Sequence, residues 1–170
     1  INDCIHSQKN YSLRLFADDS SAIVTSNDIA SLSVHGSKCV LSMESYCSKN
    51  FLSLNKDKTS YLQFSAYPRQ KNFSVLIKST TASVKHNNVV NFLGVTVDEH
   101  LTWEPHIDIV VKKLTSLCFC IRQLKENVNV STLMKYYHGC INPYLSYGIM
   151  CWGNSVFVNR IFVMQKKFLD

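Results

Sequence analysis

Apolar and polar residues alternate along much of the first hundred positions, and a period of two predicts short β-strands. The alternation is clear in residues 11–16 and 20–25, which flank Ala17, Asp18 and Asp19. This arrangement predicts a β-hairpin with two carboxylates at its tip. Because apolar residues occupy both sides of the two strands, we expect the hairpin to be largely buried and its tip to be held firmly.

A helical period follows the hairpin, from Asp28 to about Asn50, with Asn27 as the expected N-cap. Extended segments are predicted farther along the chain, at residues 51–54, 60–66, 73–77, 81–86 and 89–95. Asn87 and Asn88 lie between the last two segments, and asparagine tolerates the positive φ angles of a tight turn. We therefore expect a second hairpin around this dipeptide.

The period changes near residue 100, where apolar residues begin to recur every three or four positions. Thr102 is expected to cap a first helix that has Pro105 in its first turn, and Ser131 is expected to cap a second helix that is interrupted at Pro143. A third helix is predicted over residues 156–169. The predicted buried stripe of the first helix is Ile107, Val110, Val111, Leu114, Leu117, Cys118, Ile121 and Leu124. The fold class is therefore α+β, with a mixed region at 1–100 and a helical region at 101–170.

The composition is that of a folded chain, since 46% of the 170 residues are hydrophobic and 18% are charged. This excludes disordered, collagen-like and low-complexity classes. No apolar run approaches the roughly 18 residues of a membrane span, and the N-terminus lacks the apolar core of a signal peptide. We expect an intracellular protein of the cytoplasm and nucleus that is not secreted, and a piece of a longer reading frame.

The formal net charge of +6 suits a polyanionic partner such as nucleic acid, but solubility alone also accounts for a surplus of this size. The seven cysteines are odd in number and lack the paired spacing of zinc or disulfide frameworks. Buried free thiols are the favoured interpretation.

Asp18 and Asp19 have two interpretations. Aspartate is common in solvated turns. Two carboxylates at a rigid tip also form an oxygen-rich cluster of the kind that Mg²⁺ prefers. The apolar flanks favour the second interpretation, because burying adjacent carboxylates without a cation is costly.

Four motifs in order across residues 13–154 resemble reverse transcriptases of non-LTR retrotransposons, of the jockey and LINE type. LRLFADDSSAIVT resembles the active-site hairpin of that family, with its aromatic-x-Asp-Asp pattern. YCSKNFLSLNKDKTSYLQF resembles the segment ending in Leu-x-x-Asn-x-x-Lys-Thr, with Tyr46 where the family often has Trp. NFLGVTVDEHLTWEPHI and INPYLSYGIMCWGN resemble the strand turn that leads into the thumb domain and the thumb's own Pro-x-Leu-x-Tyr-Gly and Trp-Gly elements.

The resemblance implies an RNA-directed DNA polymerase that adds dNTPs to a DNA primer on an RNA template through a two-metal Mg²⁺ site. Residues 1–100 would be the C-terminal part of its palm domain, and residues 101–170 its helical thumb. Asp18 would be the main metal ligand and Asp19 a supporting carboxylate. Phe16 would lie near the primer terminus, and Lys58 would meet the triphosphate or protonate pyrophosphate.

The resemblance also implies binding roles. Phe92, Leu93 and Gly94 would form the primer grip, and an ordinary strand kink is the alternative. Lys112 and Lys113 would contact phosphates of the template–primer duplex from the thumb, or serve only as solvated charges.

Asn55 and Thr59 are expected to fix the turn before Lys58 through side-chain to backbone hydrogen bonds. His106 is expected to act as a polar cap at the start of a helix packed on the sheet.

The family also needs an upstream aspartate on another palm strand and a fingers region, and nothing before Tyr11 can supply either. We therefore expect an incomplete metal site, a sheet with an unpaired edge and an uncovered face, and no activity from this chain alone. The missing N-terminal part of the same polyprotein is an implied partner, and no membrane is. Two alternatives remain: a nucleic-acid-binding remnant without catalysis, and a translated pseudogene fragment.

Overall fold

The computed structural model describes residues 11–64 and 75–168 of the chain. The chain divides into two compact units, Ile1–Asn87 and Asn88–Asp170. Helices and strands occur together, which is consistent with the predicted α+β class. The division falls before residue 100, so the hairpin at residues 89–98 belongs to the same unit as the helices that follow it.

The predicted hairpin with two carboxylates is present in the first unit. Strand β1 (Tyr11–Phe16) pairs antiparallel with β2 (Asp19–Val24), and Phe16 lies opposite Asp19. The loop therefore contains only Ala17 and Asp18. Among the described residues, this sheet has two strands.

The prediction of a largely buried hairpin is wrong. Tyr11 and Leu13 are buried against Cys39 of the following helix. Phe16 and Ile23, in contrast, are 64% and 60% exposed. Because side chains alternate between the two faces of a strand, Phe16 and Ile23 lie on the face that the helix does not cover. The described part of the hairpin thus has one packed face and one open face.

Helix α1 (Ile29–Lys49) has its N-terminus one residue later than predicted. The N-cap is Asp28 and not Asn27, because Asp28 has the extended backbone of a cap and its carboxylate accepts the N–H of Ser31 at 2.7 Å. Gly36 lies in the middle of this helix because a Cβ there would approach Ile77 to 3.0 Å.

In the rest of this unit, fewer residues form β-strands than the alternation predicts. Strand β3 (Ser60–Tyr61) pairs in parallel with β4 (Lys85–His86), and residues 51–54 form no strand. The predicted strand at 73–77 lies partly outside the described residues. Its described part bonds to α1, since the backbone N–H groups of Leu76 and Lys78 donate to the hydroxyls of Ser33 and Ser37.

The hairpin predicted around Asn87 and Asn88 is displaced along the chain. Strand β5 (Val89–Phe92) pairs antiparallel with β6 (Val95–Asp98), and the turn consists of Leu93 and Gly94. Both turn residues have positive φ, 48° and 80°, as a two-residue turn between right-twisted strands requires. The Leu-Gly turn sets the register, and the Asn pair lies at the boundary between the units.

In the described part of the second unit, five α-helices follow the hairpin. They are α2 (Glu104–Lys125), α3 (Val130–Tyr136), α4 (Asn142–Ser146), α5 (Ile149–Trp152) and α6 (Asn159–Lys166). Asn129 caps α3 in place of the predicted Ser131, because its side chain accepts the N–H of Thr132. A π-helical turn (Tyr137–Ile141) joins α3 to α4 and brings Pro143 into the first turn of α4, where its missing N–H costs nothing.

The predicted stripe of α2 forms the centre of the second unit's core. Ile107, Val110, Leu114 and Cys118 are buried there together with residues of the later helices, and Val111, Leu117 and Ile121 pack partly buried against them. Trp152 is 1% exposed and donates its indole N–H to the carbonyl of Tyr147. Over residues 11–64 and 75–168, no helix has the length and apolar character needed to cross a membrane.

Candidate active site

The tip of the β1–β2 hairpin presents Asp18 and Asp19 to solvent. Asp18 is the second loop residue, and Asp19 begins β2. Both side chains are exposed. Ala17, just before them, has a φ of 52°, in a region that costs an L-residue about 1 kcal/mol. The tight register therefore holds the tip in a strained conformation that projects two neighbouring carboxylates outward.

This exposure removes one argument for a cation. The sequence interpretation took the carboxylates to be buried, so that a cation was needed to offset their desolvation. Exposed carboxylates are stable in water without one. The case for a metal therefore depends on the donor chemistry of the tip and on the likeness of the chain to known proteins.

The tip fits part of a magnesium site. Carboxylate oxygens are the donors that Mg²⁺ takes, but the ion surrounds itself with six ligands. In the two described stretches of the chain, no group of three or more His, Cys, Asp or Glu side chains is placed to hold a metal ion. Asp18 and Asp19 thus offer the correct ligand type in too small a number, and further ligands must come from elsewhere.

The turn that carries Lys58 has the hydrogen bonds expected of Asn55 and Thr59. The Asn55 side chain accepts the backbone N–H of Lys58 at 3.1 Å, and the Thr59 hydroxyl donates to the Asn55 carbonyl at 2.7 Å. The Lys58 side chain is exposed. Among the described residues, no ion pair joins it to Asp18 or Asp19.

An ion pair that the sequence did not indicate anchors this turn to α1. Lys56 lies 3.1 Å from the carboxylate of Glu44 and donates to the hydroxyls of Thr80 and Thr81. Burial acts to raise the pKa of Glu44, but the Thr80 N–H and the Lys56 ammonium outweigh it and lower that pKa. No local spacing connects these residues, which lie far apart in sequence, so no sequence signal could have identified the contact.

The predicted primer grip is the β5–β6 turn. The carbonyl of Leu93 accepts the Tyr147 hydroxyl at 2.5 Å, and a Cβ on Gly94 would lie 3.3 Å from the Tyr147 ring. Phe92 is exposed at the end of β5. Gly94 therefore serves the turn through its positive φ, and the Tyr147 ring lies beside it.

We expect Gly94→Ala to lower the free energy of unfolding by about 1–2 kcal/mol, because an alanine at this φ is strained and its methyl group meets Tyr147. Urea denaturation measured by circular dichroism checks this value. Gly139→Ala is the matched control, since a Cβ there meets nothing within 4 Å. Equal effects of the two substitutions would contradict the assignment.

The corner between β6 and α2 is organised by Asp98, which the sequence interpretation missed. Its buried carboxylate accepts the N–H groups of His100, Thr102 and Trp103 and the hydroxyl of Thr102. Trp103 has a φ of 65° and is the N-cap of α2, so the predicted cap at Thr102 is wrong. Asp98 therefore fixes the backbone of the corner that precedes α2, because its backbone partners lie before the first helical residue, Glu104.

His106 is a buried core residue of α2. Its Nδ1 accepts the N–H of Thr96 at 3.3 Å, and its ring lies 5.9 Å from that of Trp152. Burial lowers the pKa of His106 below 6.5, which favours the neutral ring. The helix start thus packs on the sheet as expected, with the histidine inside and not at a cap.

Lys112 and Lys113 are both exposed on α2. They lie in the second unit, whereas Asp18, Asp19 and Lys58 lie in the first. Within each unit, the described residues place the predicted groups at the surface, where a substrate or partner can reach them.

The chain is similar to a probable RNA-directed DNA polymerase from transposon BS of Drosophila melanogaster. The two are 24% identical over 168 residues, which covers 91% of this chain and 18% of the relative. The chain therefore spans less than a fifth of the relative's length. No protein-family model matches the chain, and no solved structure does. The similarity supports a reverse transcriptase-related protein.

Proposed function

We propose that this chain supplies part of the polymerase of a non-LTR retrotransposon of the jockey or LINE type, which copies RNA into DNA. The observation that carries the proposal is the tight hairpin whose tip exposes Asp18 and Asp19. The distant similarity to a transposon polymerase supports it. In this proposal, the first hundred residues belong to the palm and the following helices to the thumb.

Asp18 and Asp19 are the residues of this chain that would hold Mg²⁺. Mg²⁺ held there would supply activation of the primer 3′-hydroxyl and stabilisation of the charge on the leaving pyrophosphate. Asp18, on the loop, would be the main ligand, and Asp19, at the start of β2, would support it. Phe16 lies opposite Asp19 in the register, and its exposed ring is available to a primer terminus.

Lys58 would neutralise phosphate charge on the incoming dNTP. Its ammonium is exposed, and its backbone is fixed by Asn55, while the neighbouring Lys56 is anchored to Glu44. The fixed backbone leaves the side chain in solvent, from which its ammonium could approach the phosphates and stabilise their charge. Phe92, Leu93 and Gly94 would support the primer, and Lys112 and Lys113 would contact phosphates of the duplex.

We expect the 170-residue chain alone to show no Mg²⁺-dependent primer extension. Two carboxylates do not complete a metal site, and the described residues offer no third ligand near them. The experiment is extension of an oligo(dT) primer on poly(rA) by the purified chain, with the Drosophila relative as positive control. Robust extension by the chain alone would contradict this expectation.

A chimera tests the proposal itself. This chain replaces the aligned segment of the Drosophila relative, and extension is measured on the same template–primer. Mg²⁺-dependent extension above that of the relative with the segment deleted is the expected result. A chimera that folds but copies nothing, while its parent is active, would contradict the proposal.

The exposed Lys112 and Lys113 favour a second candidate, a nucleic-acid-binding remnant without catalysis. Phosphate contacts release counterions, so affinity for a template–primer duplex should fall steeply as salt is raised. This candidate predicts that the double variant Lys112→Glu with Lys113→Glu weakens duplex binding, and that the chimera remains inactive. Primer extension by the chimera would contradict a binding remnant without catalysis.

A further inference from the structure

A groove runs along the first unit between α1 and residues 75–78. Its volume is about 870 Å³. One wall is a helical stripe of α1 that includes Val34, Leu41 and Tyr46, and the other wall carries Leu76. Neither the hairpin tip nor the Lys58 turn of the same unit lines it, so the groove is separate from the proposed catalytic residues Asp18, Asp19 and Lys58.

The charged side chains among the described lining residues of the groove are all positive. Lys38, Lys49 and Lys78 line the groove, and its described lining residues include no carboxylate. In the described parts of the chain, none of these three ammonium groups forms an ion pair. Glu44, also on α1, is paired with Lys56 instead. Three unpaired ammonium groups around one groove favour an anionic occupant.

The groove walls carry aliphatic side chains as well as serines. Val34, Leu41 and Leu76 are all exposed there, and Tyr46 is the aromatic side chain among the described lining residues. The serines on the α1 wall are Ser33, Ser37, Ser42 and Ser45. Grooves that bind single-stranded nucleic acid use aromatic side chains on which successive bases stack, which the aliphatic side chains do not provide. Aliphatic side chains with lysines beside them suit a protein segment that has apolar and acidic residues on one side.

Two backbone N–H groups along the groove are already bonded. The N–H groups of Leu76 and Lys78 donate to Ser33 and Ser37, and the carbonyl of Ile77 accepts the N–H of Val84. A β-strand added at this wall would lack those two N–H donors, which favours recognition through side chains. A helix bound in the groove can be recognised through its side chains alone, because its backbone groups are bonded within the helix.

We propose that this groove binds an acidic amphipathic helix of a partner protein. Lys38 and Lys49 are eleven positions apart on α1, a rise of about 16 Å, which matches about three turns of a bound helix. The helix would place its apolar stripe on Leu41, Val34 and Leu76 and its carboxylates beside the lysines. This proposal does not depend on the polymerase assignment.

The test is fluorescence anisotropy with the full 170-residue chain. The probe is a labelled 18-residue helical peptide with leucines at i, i+3, i+4 and i+7 and glutamates on both flanks. Its matched partner has lysine in place of every glutamate, and a labelled 18-nucleotide oligo(dT) is the third probe. We expect the acidic peptide to bind and the lysine peptide and oligo(dT) not to.

Substitutions of groove residues test whether the acidic peptide binds in this groove. Lys38→Glu and Lys49→Glu should each weaken binding of the acidic peptide about fivefold, the size of one partly exposed charge pair, and Leu41→Ala should weaken it further. Lys85→Glu on exposed β4 is the control and should change nothing. Because charge reversal can perturb α1, the glutamine variants Lys38→Gln and Lys49→Gln are measured too, with circular dichroism for folding.

Three outcomes would overturn the proposal. The first is no binding of the acidic peptide, or binding that the Lys38 and Lys49 variants leave unchanged. The second is preferential binding of oligo(dT) that these variants abolish, which would make the groove a nucleic-acid site. The third is concentration-dependent dimerisation of the chain that Leu41→Ala removes, which would identify a second copy as the occupant.

Discussion

Replacing Asp18 with asparagine in the active chimera should lower template-directed primer extension by at least about 1,000-fold, or roughly 4 kcal/mol of transition-state stabilisation. Asp18 is the loop residue of the hairpin and its carboxylate is exposed. Asparagine keeps the shape of the side chain but removes the charge that a divalent cation requires. Asp19→Asn should lower extension less, about 10- to 100-fold, because we propose Asp19 as the supporting carboxylate.

The control for this experiment is Glu126→Gln, which removes an exposed carboxylate from the second unit. It should leave extension unchanged. Single-turnover rates separate a loss of chemistry from a loss of primer binding, and the Asp18 effect should appear in the chemical step. An Asp18→Asn chimera with more than a tenth of the parent rate would rule out a catalytic role for this carboxylate.

Asp98→Ala should lower the free energy of unfolding of the second unit by about 3 kcal/mol. The carboxylate accepts four hydrogen bonds at the corner between β6 and α2, three of them from backbone N–H groups. It is only 7% exposed, so water cannot fully replace it. Alanine would also free Trp103 from the left-handed conformation that begins α2.

Asp108→Ala is the matched control for this substitution. Asp108 forms an ion pair with Arg160 at 2.5 Å, but both side chains are about half exposed. Such pairs contribute about 1 kcal/mol or less. Urea denaturation should therefore show a clearly larger loss for Asp98→Ala. Equal losses would contradict the structural role of Asp98.

The pH dependence of stability follows from the same corner. Burial acts to raise the pKa of Asp98, but the hydrogen bonds from Thr102, Trp103 and His100 outweigh it, so the folded pKa lies below 3.8. A lowered pKa means that Asp98 stabilises the fold above pH 3.8 and loses this contribution as the pH falls through the folded value. In Asp98→Ala, the free energy of unfolding should therefore fall less steeply than in the parent chain as the pH is lowered below 3.8.

The sequence predicted those parts of the fold that depend on periodic burial. The stripe of α2 from Ile107 to Ile121 packs as its spacing indicates, because one face of a helix must be apolar to join a core. The β1–β2 hairpin also has nearly the predicted bounds. Its signals, the alternation of apolar and polar residues and the Ala-Asp turn, lie within the segment itself. Its exposure could not be predicted, because exposure depends on what covers each face.

Contacts between distant residues account for most of what the sequence did not show. Residues 75–78 alternate like a strand, but the hydroxyls of Ser33 and Ser37 take two of their backbone N–H groups. The second hairpin turns at Leu93 and Gly94, although Leu93 must adopt a positive φ. The pair Asn87-Asn88, whose residue types favour such a turn, does not form it. The Glu44–Lys56 pair likewise has no signature in local spacing. The Asp98 corner is different, because its partners lie two to five residues along the chain. An aspartate that accepts the N–H group two residues later is a local turn signal, and the sequence interpretation missed it.

We propose that Asp18 and Asp19 jointly hold a divalent cation at the hairpin tip. Nuclear magnetic resonance with Mn²⁺ as the probe tests it on the chain itself, because a bound paramagnetic ion broadens nearby amide signals. We predict that low Mn²⁺ concentrations broaden residues 16–20 first, that excess Mg²⁺ reverses this, and that Asp18→Asn abolishes it while Glu126→Gln does not. Broadening spread evenly over the exposed carboxylates, or unchanged in Asp18→Asn, would contradict the account.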